Sequence, residues 1–438
     1  MGELWVWMNG DLVGRWYRGR TGYHRFTYDD AWLSSPRMRS LSLSMPIGVD
    51  RTIEGEVVGH YFDNLLPDSE IIRKRLATRF KTKSAETFEL LQAIGRDCVG
   101  AVQLLPAGQR PEGFDRLEYK ALSEADIERV LRHVTAESVF GAKTEEDDDF
   151  RISLAGAQEK TALLRVGQQW CRPMGATPTT HILKLPLGLI GGRNIDLTHS
   201  VENEWLCGQI LNGLGFHTAP SEIAEFGSRK VLVVERFDRQ LVDGTWIVRL
   251  PQEDFCQVLG KTSTQKYEVD GGPGMADILK VLARSRAAKV DGQTFLCTQL
   301  AFWLLAATDG HAKNFSVFLL QGDGYRLTPL YDVLSAWPAI GHGADKIPWQ
   351  KVTLAMAVRS KNAHYKLGEI HARHWRQLAL KSGVEDAWPA MFDMVERADE
   401  VLDTVANRLP ATFPAQTADA VLAGVRAQRL SFLQAANT

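Results

Sequence analysis

Three polar residues in the last third of the chain have the types and the spacing that phosphoryl transfer requires. Asp309 and Asn314 are five positions apart, and Asp332 follows Asn314 after eighteen more. In phosphoryl transfer a first acid orients the attacking hydroxyl and accepts its proton, while an amide and a second acid hold the Mg²⁺ that bridges the nucleotide phosphates. We therefore interpret Asp309 as a candidate catalytic base, and Asn314 and Asp332 as candidate metal ligands. The alternative is an ordinary turn at Asp309-Gly310 and a strand-end asparagine.

The sequence around this motif predicts a loop between a buried helix and a strand. The apolar run from Phe302 to Ala307 ends just before Asp309, and the alternating pattern that begins at Phe315 resumes just after Asn314. Loops that are held by rigid elements on both sides are frequent positions for catalytic side chains.

A segment rich in small residues, Ser153 to Thr161, is a candidate phosphate loop. Small residues let the backbone approach phosphate oxygens and donate N–H groups to them. The segment is neither a Walker A loop nor the G-x-G-x-x-G loop of ordinary protein kinases, and the alternative is a tight turn. The candidate nucleotide-binding residues in it are Ala155, Gly156, Ala157, Gln158, Glu159 and Lys160.

Two further segments could complete a nucleotide site. Lys184 lies in the apolar strand predicted over 181–185, where burying a lysine without an anion is costly. A carboxylate on the next helix, Glu202 or Glu204, could hold the lysine side chain in place. Alternatively, its ammonium group could reach water at the edge of the sheet. The apolar strand that ends at Glu235, Arg236 and Phe237 occupies the place of a kinase hinge, whose backbone binds adenine. An exposed strand end is the alternative.

Composition restricts the class of protein. The chain has 438 residues, 45% of them hydrophobic, and a formal net charge of -2, so any contact with DNA would have to come from a local patch or a partner. No secretory signal and no apolar run of membrane-spanning length is present, and we predict a cytoplasmic protein without membrane contact. Five scattered cysteines favour reduced, mostly buried thiols.

The first half of the sequence is rich in predicted strands and the second half in predicted helices. Asn9-Gly10 suits the turn of a β-hairpin, Ser69 begins a helix with apolar positions from Ile71 to Phe80, and Ser84 caps another. We predict an α+β, bilobal protein-kinase-like fold with a β-rich N-terminal lobe, an extra N-terminal subdomain and a mainly helical C-terminal lobe. The predicted boundaries are 1–112 for the subdomain, 113–245 for the core of the N-terminal lobe and 246–438 for the C-terminal lobe.

The order of phosphate loop, strand lysine, helix acid, hinge, catalytic loop and metal acid is that of a kinase, and the longer runs resemble one family. The sequence resembles the HipA-type toxin kinases, the kinase half of type II toxin–antitoxin pairs, over nearly its whole length. The runs that carry the resemblance are 62–68, 95–100, 151–164, 181–186, 235–239, 251–254, 309–314 and 331–332.

The resemblance implies an ATP- and Mg²⁺-dependent serine/threonine kinase. It adds His311, Ala312, Lys313 and Tyr331 to the nucleotide site, and it matches Ser153 to the family's autophosphorylated serine. A phosphate there would add about -1.5 to -2 charges beside the loop that holds ATP phosphates, which would switch the kinase off.

The resemblance also implies partners. These are a protein substrate from the translation machinery, notably glutamyl-tRNA synthetase, a HipB-like helix-turn-helix antitoxin dimer, and operator DNA through the complex with that dimer. The consequence of activity would be growth arrest. Two alternatives stay open: a small-molecule phosphotransferase of the antibiotic-kinase type, and a catalytically silent corepressor scaffold.

Overall fold

The computed structural model, which describes residues 2–135, 153–156, 158–192 and 194–436, contains both helices and strands. The fold is α+β, as the sequence predicts. The chain divides into two compact units. The first comprises Met1–Leu185, Ala224–Thr264 and Ser316–Tyr325, and the second comprises Pro186–Ile223, Gln265–Phe315 and Arg326–Thr438. Of the predicted site residues, Ala157 lies outside the described residues.

The first unit begins with an antiparallel five-stranded sheet. The predicted hairpin is confirmed, because Met8 pairs with Asp11 and both Asn9 (φ 46°) and Gly10 (φ 85°) have the positive φ that a tight turn of this kind requires. Trp16 stacks on Phe62 at 4.0 Å between ring centroids and forms the centre of the sheet's core. In spatial order the strands are Thr52–Glu54, His24–Tyr28, Asp11–Arg18, Gly2–Met8 and Val102–Pro106.

Helices cover this sheet and lead away from it. The helix predicted after Ser69 spans Glu70–Arg79, with Ser69 as its N-cap. None of its residues is fully buried, and Ile71 is 77% exposed. Only the C-terminal end, with Leu76 and Phe80, packs against the core, so the apolar face expected from Ile71 onward is wrong for its first turn. The other helices of this region are Asp30–Leu33, Glu56–Asp63 and Thr87–Ile94, the last of which begins three residues after Ser84.

A six-stranded sheet follows in the same unit. The strand predicted over 181–185 and the apolar strand predicted before the hinge residues are both confirmed. In spatial order the strands are Ser221–Phe226, Arg229–Glu235, His181–Lys184, Lys160–Val166, Gln169–Pro173 and Tyr119–Ala121. The helix Glu124–Thr135 packs on one face of this sheet. A capping box begins this helix, because Ser123 N donates to Asp126 Oδ2 at 3.0 Å and Asp126 N donates to Ser123 Oγ at 3.2 Å.

Smaller elements complete the first unit. The strands Arg239–Val242 and Trp246–Arg249 form a hairpin. The strand Gln252–Asp254 pairs with Ser316–Leu319, which begins two residues after Asn314. The short helix Phe255–Val258 follows, and Tyr325–Leu327 adds a third strand to the pair.

The second unit is mainly helical. Its core is the helix Ala288–Leu305, which packs against the helices Ala387–Ala406 and Ala415–Ala436. Trp303 contributes to this packing, with its ring 6.3 Å from that of Phe432. The remaining helices are Ser200–Gly213, Met275–Leu282 and Ala372–Lys381, and the strand pairs are Gly188–Ile190 with Ile195–Leu197 and Thr353–Arg359 with Ala363–Lys366.

All five cysteines are free thiols with buried side chains, which confirms the prediction from their spacing. Within the described ranges, the structure contains no helix with the length and apolar character that crossing a bilayer demands.

Candidate active site

The helix Ala288–Leu305 determines where the predicted catalytic loop begins. The next residue, Ala306, ends the helix in a left-handed conformation with φ 49°. The carbonyl of Leu305 accepts a hydrogen bond from Ser335 Oγ at 2.6 Å, and that of Ala306 accepts one from Ala336 N at 3.0 Å. Carbonyls at a helix end need such partners when they are buried, so the chain leaves the helix at a fixed point three residues before Asp309.

Gly310 allows the loop to lie against the helix. A Cβ atom at this position would come within 2.3 Å of the ring of Phe302. Any larger residue would therefore displace either the ring or the loop, and with the loop Asp309. Close packing against the helix therefore requires a glycine at this position.

Asn314 connects the two predicted acids. Its Nδ2 donates to the backbone carbonyl of Asp309 at 2.8 Å and to that of Asp332 at 3.4 Å. Asn314 is the last residue of the 3-10 helix Ala312–Asn314, and it is 5% exposed. Residues twenty-three positions apart in sequence therefore meet at one amide. Because both bonds use the nitrogen, the side-chain oxygen is the atom that can face a cation.

Asp309 presents its carboxylate to solvent. The side chain is 60% exposed, and its Oδ1 lies 3.8 Å from Nε2 of the buried His311. The phenol of Tyr267 donates a hydrogen bond to the same Oδ1. An accessible carboxylate is what a base that must reach a substrate hydroxyl requires. Sequence reasoning missed Tyr267, because no local pattern links it to an acid forty-two positions away.

Asp332 has a left-handed backbone conformation. Its φ is 61°, which residues other than glycine adopt uncommonly, although aspartate does so more readily than most. The preceding residue, Tyr331, donates from its phenol to the carbonyl of Lys313 at 2.8 Å. This bond ties the segment of Asp332 to the 3-10 helix that contains Asn314.

The donor set fits Mg²⁺. Asn314 and Asp332 offer oxygen ligands, which hard cations prefer, and Mg²⁺ commonly takes one or two protein oxygens together with substrate phosphates. Among the residues that the structure describes, no cluster of three or more His, Cys, Asp or Glu side chains could hold a metal by itself.

The first unit contains the predicted phosphate-binding lysines. Lys184 is 5% exposed, and in the register of the sheet it lies directly opposite Lys160. Residues opposite each other in an antiparallel pair project from the same face, and like charges in such a pair are destabilising. A bound phosphate would add negative charge on this face.

The described residues of the phosphate loop are held by the N-terminal region. Gly156, with φ 104°, forms a parallel bridge with Pro67, and its carbonyl accepts from Asp68 N at 3.1 Å. Gln158 donates to the carbonyl of Leu185 at 2.6 Å. Glu159 forms an ion pair with Arg75. These contacts show that Gln158 and Glu159 position the loop; whether they also contact nucleotide stays a prediction.

Ser153 is fully buried. Its hydroxyl donates to the carbonyl of Leu65 at 2.7 Å, and its backbone N–H donates to the carbonyl of Asp97 at 3.1 Å. Phosphorylation of this hydroxyl requires that the segment first leaves this position.

Arg236, predicted as a hinge residue, belongs to a buried network of charges. Its guanidinium contacts Asp238 at 2.9 Å and Asp97 at 3.4 Å. Arg239 and Arg249 reach the same Asp97 carboxylate at 3.0 and 3.4 Å. The side chain of Arg236 is therefore committed to structure, and only backbone atoms of this segment are suited to an adenine edge.

Burial and the arginines act in opposite directions on Asp97. Burial raises the pKa of its carboxyl, but Arg239, Arg236 and Arg249 together outweigh burial and hold the pKa well below its ordinary value. Burial in turn lowers the pKa of Arg249 to about 10. Asp97 was missed as an important residue, because nothing in the local sequence indicates that three distant arginines converge on it.

The other predicted residues take ordinary positions in their elements. Glu235 is exposed at the end of its strand, and Phe237 contacts the ring of Phe318 edge-on at 5.7 Å. Ala312 and Lys313 are buried in their 3-10 helix. Glu202 is buried and Glu204 is half-buried on the helix Ser200–Gly213. The pairing of Lys184 with one of them stays a prediction.

Comparison with known proteins identifies the family. The family described as HipA-like C-terminal domain matches residues 152–413, and the family described as HipA N-terminal domain matches residues 4–105. Y4mE of Sinorhizobium fredii, a protein named as a kinase, is 32% identical over 385 residues, which are 86% of this chain and 85% of that protein. The serine/threonine-protein kinase toxin HipA of Shewanella oneidensis is 29% identical over 305 residues, which are 67% of this chain and 66% of that protein.

A solved structure has the same fold. The Shewanella oneidensis toxin–antitoxin complex of HipA, HipB and operator DNA contains a chain that matches with a TM-score of 0.81 and 23% identity, over 99% of this chain and 98% of that one. Together with the family matches, this likeness shows that the chain belongs to the HipA family of kinases.

Proposed function

We propose that the chain is an ATP-dependent serine/threonine protein kinase that acts as a toxin. The observation that carries this proposal is the amide of Asn314, which joins the backbones of Asp309 and Asp332. Phosphoryl transfer needs a base and metal ligands close together, and this hydrogen-bonded group brings the three proposed residues together. An ordinary turn at Asp309 would not require that contact with Asp332.

Each residue has a defined role in the proposed reaction. Asp309 orients the serine or threonine hydroxyl of the substrate and accepts its proton. Asn314 and Asp332 hold Mg²⁺, which neutralises charge on the phosphates when it is bound. Lys160 and Lys184 bind nucleotide phosphates, and the backbone of 235–237 binds the adenine edge.

The proposed substrate is a protein of translation, such as glutamyl-tRNA synthetase, whose modification arrests growth. Support comes from the family, since the Shewanella oneidensis relative is named a serine/threonine-protein kinase toxin. Incubation of the purified chain with γ-labelled ATP, Mg²⁺ and candidate translation proteins identifies the acceptor. Label on an aminoglycoside and on no protein would favour the small-molecule phosphotransferase.

We also propose a HipB-like helix-turn-helix antitoxin dimer as partner, and operator DNA through that complex. Support comes from the complex in which the structural relative was solved, together with this chain's net charge of -2, which leaves most of the DNA affinity to a partner. A gel-shift assay on the operator, with the antitoxin alone and with both proteins, tests the proposal. If the operator DNA migrates equally and is bound with equal affinity by the antitoxin alone and by both proteins together, the proposed complex on DNA would be contradicted.

Autophosphorylation of Ser153 is the proposed mode of inactivation. The phosphate cannot occupy the buried position of the hydroxyl, because a group of about -1.5 to -2 charges would lose its water there. Phosphopeptide mass spectrometry after incubation with Mg²⁺ and ATP is the direct test. Phosphate on other residues of the chain together with unmodified Ser153 would rule out inactivation by phosphorylation of Ser153.

The decisive variant is Asp309→Asn, with Asp419→Asn, an exposed acid of the same unit, as the control. Asp309→Asn should lose at least about 100-fold in phosphoryl transfer, as expected for the loss of a positioned base, and should bind ATP within a few-fold of the wild type. Asp332→Ala should weaken binding of Mg²⁺-ATP as well. Transfer by Asp309→Asn at the wild-type rate would refute the assignment of the base, and a wild-type chain without any transfer would favour the silent scaffold.

A further inference from the structure

The phenol of Tyr267 is bonded to the carboxylate of the proposed base. Its hydroxyl donates to Oδ1 of Asp309, and its ring lies edge-on to His311 with 5.0 Å between centroids. We infer that Tyr267 is a positioning residue for Asp309, which fixes one carboxylate oxygen so that the other receives the proton of the substrate hydroxyl. This inference rests on the proposed kinase function.

The segment that contains Tyr267 is attached directly to the catalytic loop. The carbonyl of Lys266 accepts from Ala312 N at 3.2 Å, and the carbonyl of Tyr267 accepts from Gly272 N at 3.0 Å. Gly272 permits this turn, since a Cβ there would be 2.1 Å from the carbonyl oxygen of Gln265. Hydrogen bonds of the backbone at Lys266 and Tyr267 therefore fix the position from which the phenol reaches Asp309.

Asp309 needs such a partner because its environment does little to restrain it. With 60% of the side chain exposed, the carboxylate is free of packing that would select one rotamer. A phenol donates one hydrogen bond to a carboxylate, and in doing so it leaves the second oxygen as an acceptor. Holding a reacting group in the productive geometry contributes strongly to rate, and a displacement of about 1 Å can cost about 100-fold.

The test is Tyr267→Phe, which removes the hydroxyl and keeps the ring against His311. We expect kcat for phosphoryl transfer to fall by about 10- to 100-fold, while KM for ATP stays within about two-fold, because Tyr267 acts through Asp309 and not on the nucleotide. The control is Tyr365→Phe, which removes a phenol that hydrogen-bonds Glu268, the neighbour of Tyr267. Its kcat should equal that of the wild type.

A double-mutant cycle separates positioning from a structural effect. If Tyr267 acts through Asp309, adding Tyr267→Phe to Asp309→Asn causes no further loss, whereas an independent structural effect reduces the rate again by the same factor. Where Asp309→Asn shows no measurable transfer, the comparison of Tyr267→Phe with Tyr365→Phe decides.

The remaining outcomes are distinct. Wild-type kcat in Tyr267→Phe would overturn the inference and leave the proposed function intact. A rise in kcat would also overturn it, because the phenol would then be competing with the substrate hydroxyl for Asp309. An absence of transfer by the wild-type chain to any acceptor, itself included, would refute the proposed function and this inference together.

Discussion

Replacement of Asp97 by asparagine tests how much the buried charge network contributes to stability. The substitution preserves the shape of the side chain and removes one negative charge. In the wild type two carboxylates, Asp97 and Asp238, face three guanidiniums, all of them at most 9% exposed. In Asp97→Asn a single carboxylate would remain for three buried cations.

The expected cost follows from the burial of these groups. Removing one partner from a buried ion pair costs about 3–5 kcal/mol, because the remaining charge is left without compensation away from water. The amide introduced by the substitution could still accept from the backbone N–H of Thr179, which Asp97 contacts at 3.0 Å, but it could not neutralise the arginines. For a unit of this size each kcal/mol shifts Tm by about 2–4 °C, so the total shift is roughly 6 to 20 °C.

Thermal unfolding monitored by circular dichroism, at one protein concentration and without nucleotide, measures this shift. The matched control is Asp399→Asn, which also removes a carboxylate paired with two arginines, Arg426 and Arg429, but whose side chain is 47% exposed. That control should move Tm by about 4 °C or less, since exposed ion pairs contribute at most about 1 kcal/mol. A Tm for Asp97→Asn as close to wild type as that of the control would refute the stated role of the network.

Two other substitutions have calculable directions. Burial raises the pKa of Glu253 to about 8. The folded chain therefore retains a proton that the unfolded chain releases, so the free energy of unfolding falls as pH rises from about 5 to 8. Glu253→Gln keeps an acceptor for Leu43 N–H but cannot titrate, so its free energy of unfolding, measured by urea titration, should fall less between about pH 5 and 8 than that of the wild type. The exposed control Glu400→Gln should show the wild-type dependence on pH. Equal dependence in the two variants would disprove the raised pKa of Glu253. Gly310→Ala should cost about 1–3 kcal/mol through overpacking, which lowers Tm by several degrees, and it should also reduce kcat. The control is Gly48→Ala, where a Cβ meets nothing within 4 Å. Equal kcat in the two variants would show that the loop accommodates the added methyl group.

The sequence sufficed for the elements whose signals are local. The hairpin at Asn9-Gly10 has a residue pair that only one kind of turn favours, and the strand around Lys184 has unbroken apolar neighbours. Asp309, Asn314 and Asp332 were predicted as a site from their residue types, their order and their spacing in the sequence, and their roles in catalysis stay a prediction. The structure adds the amide that joins their backbones.

Features that depend on distant residues could not be predicted. Tyr267 meets Asp309 across forty-two positions, and Asp97 meets Arg236 across one hundred and thirty-nine. Helical periodicity predicted an apolar face from Ile71 onward. Periodicity indicates that a segment is helical but not what the helix packs against, and only the C-terminal end of this helix packs against the core. Pairing across long sequence separations is decided by tertiary packing, for which a single sequence contains no direct signal.

The network around Asp97 has a consequence for how this protein can be divided. Asp97 belongs to the N-terminal family domain, residues 4–105, whereas its three arginines belong to the C-terminal one, residues 152–413. A fragment trimmed to the C-terminal family segment would retain the three arginines and Asp238 but lose the carboxylate of Asp97. Within the first unit, residues from both family segments therefore share one buried charge network, and neither segment contains the complete network by itself.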